Sequence, residues 1–309
     1  MSALSLTELP ARVKIVEMGP RDGLQNEPTV VATRDKVRFI DLLSASGLAA
    51  IEATSFVRSS VIPQLDDAEA VMAAIERRSG VTYLCLTPNA RGLARAQAAG
   101  VRAIAVFTAA SETFAKRNIN MTIDESLAAF AGVVRDARRD GMWVRAYVSM
   151  AFGCPFEGHV PIERVVAVAS ALAELGVDEI SLGDTIGVAT PRDVVARASA
   201  LQAHMPVERL AMHFHDTRGT ALANVVAALQ MQIATFDASA GGLGGCPFAP
   251  GATGNLATED LLYMLDGMGI ETGVSLAGVR AATRYLAGAT GREPQSRAYR
   301  ALEAAVVHA

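Results

Sequence analysis

Two histidines set the first constraint. Residues 210–216 read as a strand, and His213 and His215 stand two apart within it. Side chains two apart on a strand leave the same face, so both imidazoles point one way while Met212 and Phe214 point the other. Two imidazoles at one strand end are poor core material and good ligands for a divalent cation. A satisfied structural pair is the plainer alternative. Asp22 could add an anionic oxygen and Asn255 a carbonyl oxygen. Two nitrogens and two oxygens, with room for water and substrate, suit octahedral Mg²⁺ or Mn²⁺ better than a closed tetrahedral zinc site.

The glycine-rich run 241–255 is the second feature. Cys246, Thr253 and Asn255 supply its only polar side chains. A compact domain rarely keeps so long an irregular segment without a use for it, and glycine lets backbone approach a ligand closely. A surface linker is the competing reading. Arg21, Glu52 and Asp184 complete the set. Carboxylates inside a barrel are costly without partners. Beside Arg21 and a cation, Glu52 and Asp184 become orienting or proton-transfer groups; otherwise they pair with arginines in a polar layer. Cys85 reads as core, and Cys154 falls close to the same strand-end face.

These residues need a frame that brings distant segments together. Strand-like runs at 13–19, 49–56, 81–87, 102–109, 143–151, 179–184, 210–216 and 234–239 alternate with helical patterns at 34–46, 66–77, 90–99, 123–140, 161–175, 191–204, 217–231 and 258–267. Thr122 before Asp124-Glu125 marks a helix start, as do Pro161, Pro191 and Thr258. Gly47, Gly100, Gly141 and Gly176 each precede a strand, where left-handed helix ends are expected. Eight alternations predict an α/β (β/α)8 TIM barrel. A doubly wound sheet would place a glycine fingerprint after its first strand, where this chain has Gly19-Pro20-Arg21-Asp22. The chain reads as one domain over 1–309, with the barrel at about 12–268 and a helical extension at about 269–309. In such barrels the C-terminal strand ends carry the active site.

Composition fits a chain that can bury a substantial core. Of 309 residues 51% are apolar and 19% charged, and the net charge is −4 with no basic block. Nucleic acid and an anionic membrane are thereby disfavoured as partners. Three cysteines without metal spacing fit a reducing, cytoplasmic setting.

Taken together, the motifs are specific. Val16-Glu17-Met18-Gly19-Pro20-Arg21-Asp22-Gly23-Leu24-Gln25-Asn26, Glu52-Ala53-Thr54-Ser55-Phe56, Phe107-Thr108-Ala109-Ala110-Ser111-Glu112-Thr113-Phe114, Gly183-Asp184-Thr185-Ile186-Gly187, His213-Phe214-His215-Asp216 and the glycine loop resemble the 3-hydroxy-3-methylglutaryl-CoA lyase family. The glycine-loop signature is specific to that branch. The Arg-Asp and His-x-His elements belong to a wider superfamily of metal-dependent barrel lyases.

The resemblance implies a divalent metal held by Asp22, His213, His215 and Asn255, and an acyl-CoA substrate cleaved by retro-Claisen chemistry. It implies Arg21 at the thioester or enolate oxygen, Cys246 as the catalytic-loop thiol, and Glu52 and Asp184 as acid–base support. His213 is a further candidate base, and Gln25 and Ser55 join Arg21 as expected substrate contacts. A homodimer and a place in leucine degradation and ketone-body formation are also implied. The chain departs from the family pattern at Arg58-Ser59-Ser60-Val61-Ile62-Pro63, where Ser-Pro-Lys-Trp-Val-Pro is usual, and at Phe248, where Tyr is common. Both departures could line the acyl pocket.

Other classes fit less well. A Schiff-base aldolase needs a lysine at an inner strand end, and none of Lys14, Lys36 and Lys116 is read there. Amidohydrolases carry His-x-His on the first strand rather than the seventh. Claisen-condensing relatives usually add a larger C-terminal region. A non-catalytic barrel would have no need of so many polar strand ends.

Overall fold

The computed structural model describes residues 8–58, 60–245 and 254–307. Eight parallel strands close into a barrel in sequence order. They are β1 (Lys14–Glu17), β2 (Ala50–Ser55), β3 (Thr82–Leu86), β4 (Ala103–Ala109), β5 (Trp143–Ser149), β6 (Glu179–Asp184), β7 (Leu210–Phe214) and β8 (Thr235–Ala238). The helices are α1 (Thr33–Ala45), α2 (Ala68–Ala74), α3 (Ala90–Ala98), α4 (Glu112–Ile119), α5 (Ile123–Arg139), α6 (Ile162–Glu174), α7 (Pro191–Gln202), α8 (Ala221–Gln230), α9 (Thr258–Gly267), α10 (Leu276–Thr290) and α11 (Arg297–Val307). The chain is thus the TIM barrel that the alternation predicts.

Strand alternation divides the interior in two. Ile15, Ile51, Ile104, Val144, Ile180 and Phe236 face the helices and join the main apolar core. Val16, Met18, Leu84, Leu86, Ala105 and Tyr147 form a smaller cluster in the lumen. Buried apolar surface, at about 25 cal/mol per Å², dominates the stability of such a two-layer arrangement. The lumen also holds charge, because Arg145, Glu179 and Asp237 occupy lumen-facing positions and are fully or almost fully buried.

Local signals account for many of the boundaries. Thr122 and Glu125 form a reciprocal capping box at the start of α5. Pro191 opens α7. One helix was not expected. Glu112–Ile119 forms α4, whose N-cap Ser111 accepts from the Phe114 N–H and whose end is left-handed Asn120. The sequence there reads as a strand end running on into a loop, and the first turn of a short helix is hard to tell from that. The seventh strand stops at Phe214 rather than 216, and His215 instead makes an isolated antiparallel bridge to Asn255.

Candidate active site

The site is built at the C-terminal end of the lumen. Just after β1 the backbone makes a five-residue π-helical turn over Gly19–Gly23. Such turns interrupt regular pairing and re-aim side chains, and they recur at functional sites. Here the turn delivers Arg21 and Asp22 into the mouth. Arg21 is clamped: its Nε and Nη2 lie 2.6 and 2.5 Å from Glu52 Oε2, and its Nη1 lies 2.7 Å from Asp22 Oδ1. Its guanidinium also stands 5.6 Å from the Tyr147 ring centroid. Glu52 sits where the β2–β3 register slips. Its Oε1 is buried with no hydrogen-bond partner.

Asp22, His213 and His215 converge, with one ligand atom from each lying within 4.8 Å of the others. Among the described residues no other group of three His, Cys, Asp or Glu meets this way. The two Nε2 atoms are 3.2 Å apart. His213 turns its Nδ1 to Asp237 Oδ2 at 3.1 Å. Asn255 donates from Nδ2 to Asp22 Oδ2 at 2.9 Å and to Leu243 O at 3.0 Å. Its Oδ1 is buried without a partner, as is His215 Nδ1. An orphaned carbonyl oxygen beside a carboxylate and two facing imidazole nitrogens is a donor set that fits a divalent cation.

Burial and charge set the protonation. Burial alone would raise the Asp22 carboxyl, but Arg21 and the two imidazoles hold it below the usual range. Burial and the neighbouring His213 push His215 down to about 3, so its nitrogens stay neutral. For His213 burial is the largest influence and acts downward, but the hydrogen bond to Asp237 and the charges of Asp237 and Asp22 together outweigh it, leaving the imidazole raised. Burial raises Glu52 despite Arg21. Burial likewise raises Asp184, to about 6.

The two ends of the glycine loop meet beside this cluster. Gly244 has φ +106° and Gly254 φ +79°. A Cβ on Gly254 would fall 2.3 Å from Gly244 O, and one on Gly244 would fall 2.5 Å from Asn255 Nδ2. Side chains are therefore excluded at both stems on steric and conformational grounds. Asn26 Nδ2 donates to Gly245 O at 2.9 Å, tying the entering stem to the β1–α1 loop. Cys246, Phe248 and Thr253, like Ser59, lie outside the described residues.

Two anticipated residues stand elsewhere. Asp184 follows lumen-facing Ser181 and Gly183 in β6, so alternation turns it toward the helices. Its carboxylate accepts from the Val188 and Ala189 N–H groups at 2.8 and 3.0 Å. It braces its own loop and does not line the cavity. Ser55 is buried, and its Oγ accepts from the Val57 N–H at 3.2 Å. It too is absent from the cavity wall, because the neighbouring turn occupies it. Gln25 does line the cavity.

That cavity has a volume of about 640 Å³ and opens from His213, His215, Asp22 and Arg21 to the surface. Phe107, Phe114, Phe130 and Leu86 make its apolar walls, and Arg58 and Arg117 stand among its lining residues. Val61 and Ile62, from the segment that departs from the familiar pattern, also line it.

Three buried residues escaped the sequence reading. Asp237 and Arg145 sit under His213. Glu17 accepts from the Gly19 and Ala240 N–H groups and the Thr258 hydroxyl, at 2.8, 2.8 and 2.7 Å. Burial lifts its carboxyl to about 7. For Asp237 and Arg145 the available signal was charge at lumen parity within a strand, which strand periodicity alone treats as an exception; Glu17 ends β1 on the helix-facing side, in register with Ile51 and Ala238.

Known proteins bear on this geometry. The family model described as HMGL-like matches residues 12–286. The chain is 51% identical over 288 residues to a hydroxymethylglutaryl-CoA lyase of Bacillus subtilis, covering 93% of this chain and 96% of that protein. The crystal structure of hydroxymethylglutaryl-CoA lyase from Pseudomonas aeruginosa superposes with TM-score 0.94 at 48% identity, covering 96% and 99% of the two chains. An HMG-CoA lyase from Acinetobacter baumannii in complex with coenzyme A and 3-methylmalate superposes with TM-score 0.90 at 38% identity, covering 97% of each chain.

Proposed function

The chain belongs to the HMGL-like family, and from that membership and the site we infer that it is a lyase cleaving 3-hydroxy-3-methylglutaryl-CoA to acetyl-CoA and acetoacetate. The observation that carries the reading is the meeting of Asp22, His213 and His215 beside a clamped Arg21, at the base of a cavity about 640 Å³ in volume. The crystallised relative bound to coenzyme A supports a CoA-bearing substrate there. No described helix is long and apolar enough to cross a membrane.

In the reaction, the tertiary hydroxyl β to the thioester gives its proton to a base, for which His213 is the proposed acceptor at the mouth, and the C2–C3 bond breaks. The bonding electrons become the acetyl-CoA enolate, and the alcohol carbon becomes the ketone of acetoacetate. Asp22, His213, His215 and Asn255 are the proposed ligands of a divalent cation, Mg²⁺ or Mn²⁺. When bound, the cation supplies Lewis-acid polarisation of substrate oxygens. Arg21 offers fixed positive charge to the enolate oxygen. Glu52 and Asp22 hold the guanidinium before the substrate arrives, so little reorganisation is needed as charge develops. Cys246 is proposed to protonate the enolate carbon. Asp184 acts as a brace for the β6–α7 loop.

We further propose a homodimer that uses the C-terminal helices, and a reducing cytoplasmic setting. Both described cysteines, Cys85 and Cys154, are free and buried, which suits that setting. Acetyl-CoA release from 3-hydroxy-3-methylglutaryl-CoA tests the function, with Mg²⁺ or Mn²⁺ and with EDTA. Cleavage that EDTA abolishes is expected. Undiminished cleavage in EDTA would overturn the cation reading, and no cleavage under any condition would overturn the substrate.

A further inference from the structure

We propose that Asp237 is the positioning residue that makes His213 a cation ligand, by fixing the imidazole in its Nδ1–H form and turning Nε2 to the mouth. The proposal rests on the reading that the mouth holds a divalent cation.

Asp237 stands in the middle of β8, paired with Val16 of β1 and His213 of β7. It is 2% exposed. Its Oδ2 receives His213 Nδ1 at 3.1 Å and the Ser181 hydroxyl at 2.9 Å. Its Oδ1 lies 2.7 Å from Arg145 Nη2. Arg145 Nε in turn lies 2.8 Å from Glu179 Oε1, and Glu179 reaches Lys14. The carboxylate is thus surrounded by donors and balanced by a buried guanidinium.

An imidazole that ligates a cation is neutral, and a neutral imidazole has a single N–H. An ionised carboxylate only accepts, so the nitrogen facing it must carry that proton. The Nε2 lone pair is then the one presented to Asp22 and His215. Ligating histidines are commonly oriented by a carboxylate in this way, and losing it typically weakens metal affinity about 10- to 100-fold. His215 differs: its Nδ1 has no hydrogen-bond partner, and a backbone bridge to Asn255 places it. The two imidazoles are therefore held by different devices, and only His213 depends on the buried charge below it.

Two measurements decide. Nitrogen-15 NMR of the metal-free wild-type protein, at a pH high enough for the His213 ring to be neutral, should show the imidazole protonated at Nδ1; a neutral ring protonated at Nε2 overturns the proposal without any substitution. Calorimetric titration with Mn²⁺ should show D237N binding about 10- to 100-fold more weakly than wild type. S181A, which removes the other donor to the same oxygen and keeps the charge, should stay within about threefold of wild type. A D237N protein that melts earlier yet binds Mn²⁺ like wild type would make Asp237 merely structural and sink the idea. Should D237N fail to fold, the wild-type tautomer decides alone. Absence of Mn²⁺ binding by wild type would instead bring down the cation reading of the mouth, a separable failure.

Discussion

At the N-terminal end of the lumen, Lys14, Glu179, Arg145 and Asp237 answer charge with charge. The Arg145 contacts to Asp237 and Glu179 are close ion pairs at 2.7 and 2.8 Å. They meet at angles outside hydrogen-bond geometry, so they are charge contacts more than directed bonds. At the C-terminal end, Arg21, Glu52 and Asp22 make a similar cluster, where Glu52 Oε1, His215 Nδ1 and Asn255 Oδ1 have no hydrogen-bond partner; the lower-layer atoms without one, Arg145 Nε and Nη2, Glu179 Oε1 and Asp237 Oδ1, each lie within 2.8 Å of an opposite charge. A buried polar atom without a partner costs about 1–3 kcal/mol, so a fold keeps several together only where something else repays them. The lower layer closes the barrel floor, and the upper layer is organised to receive a ligand.

Substitutions should separate the layers. The largest effect is expected at the mouth. Asp22→Ala or His215→Ala should lower kcat/KM by more than about 10²-fold, beyond the cost of an outer partner, with thermal stability nearly kept. A large loss of melting temperature with activity retained would blur the two layers. Arg145→Met should act oppositely, stranding Asp237 and Glu179 without their cation. It is expected to cost about 3–5 kcal/mol in urea denaturation. Arg21→Gln should cut kcat about 10²- to 10³-fold with a smaller change in KM, which steady-state kinetics would resolve. An effect on KM alone would contradict the enolate role.

Glu17, on the helix-facing side of β1 beneath the glycine-loop stem, gives a pH-dependent probe. Its carboxyl is raised from 4.5 to about 7 by burial. Between those values the folded state binds more protons than the unfolded chain, so stability falls as pH rises through the window. The slope is at most about 1.4 kcal/mol per pH unit. Glu17→Gln, whose amide oxygen can still accept from Gly19 and Ala240, should flatten the dependence measured by denaturation from pH 4.5 to 7. The smallest effect is expected for Lys14→Met. The Lys14 side chain is 35% exposed, and removing a partly solvated pair should change stability by no more than about 1 kcal/mol.

Much of this arrangement was legible from residue order. Strand parity put His213 and His215 on one face, and strand-end placement drew in Arg21, Asp22 and Glu52. The same parity applied to 179–184 puts Asp184 on the helix side, but the strand-end argument overrode it. The resemblance implies Ser55 as a substrate contact, yet a hydroxyl at a turn readily bonds the following backbone N–H, as Ser55 does with Val57. Helix α4 went unread because a short cap-and-turn is a weak periodic signal. Asp237 and Arg145 went unread because lumen parity alone does not tell a buried charge pair from a charge at a strand edge.

The sequence by itself determined the alternation of strands and helices, the side each strand residue takes, and the identity of the family. Those follow from periodicity of two and of 3.6 residues and from short motifs, all of which are local along the chain. Only the closed barrel decided that Asp237 and His213, on neighbouring strands, meet within hydrogen-bond distance, that Asn255 leaves an oxygen beside Asp22, and that one rim of the lumen is charge-balanced while the other stays open. Those outcomes depend on strand register and on what burial does to charge, and both exist only once the sheet has closed.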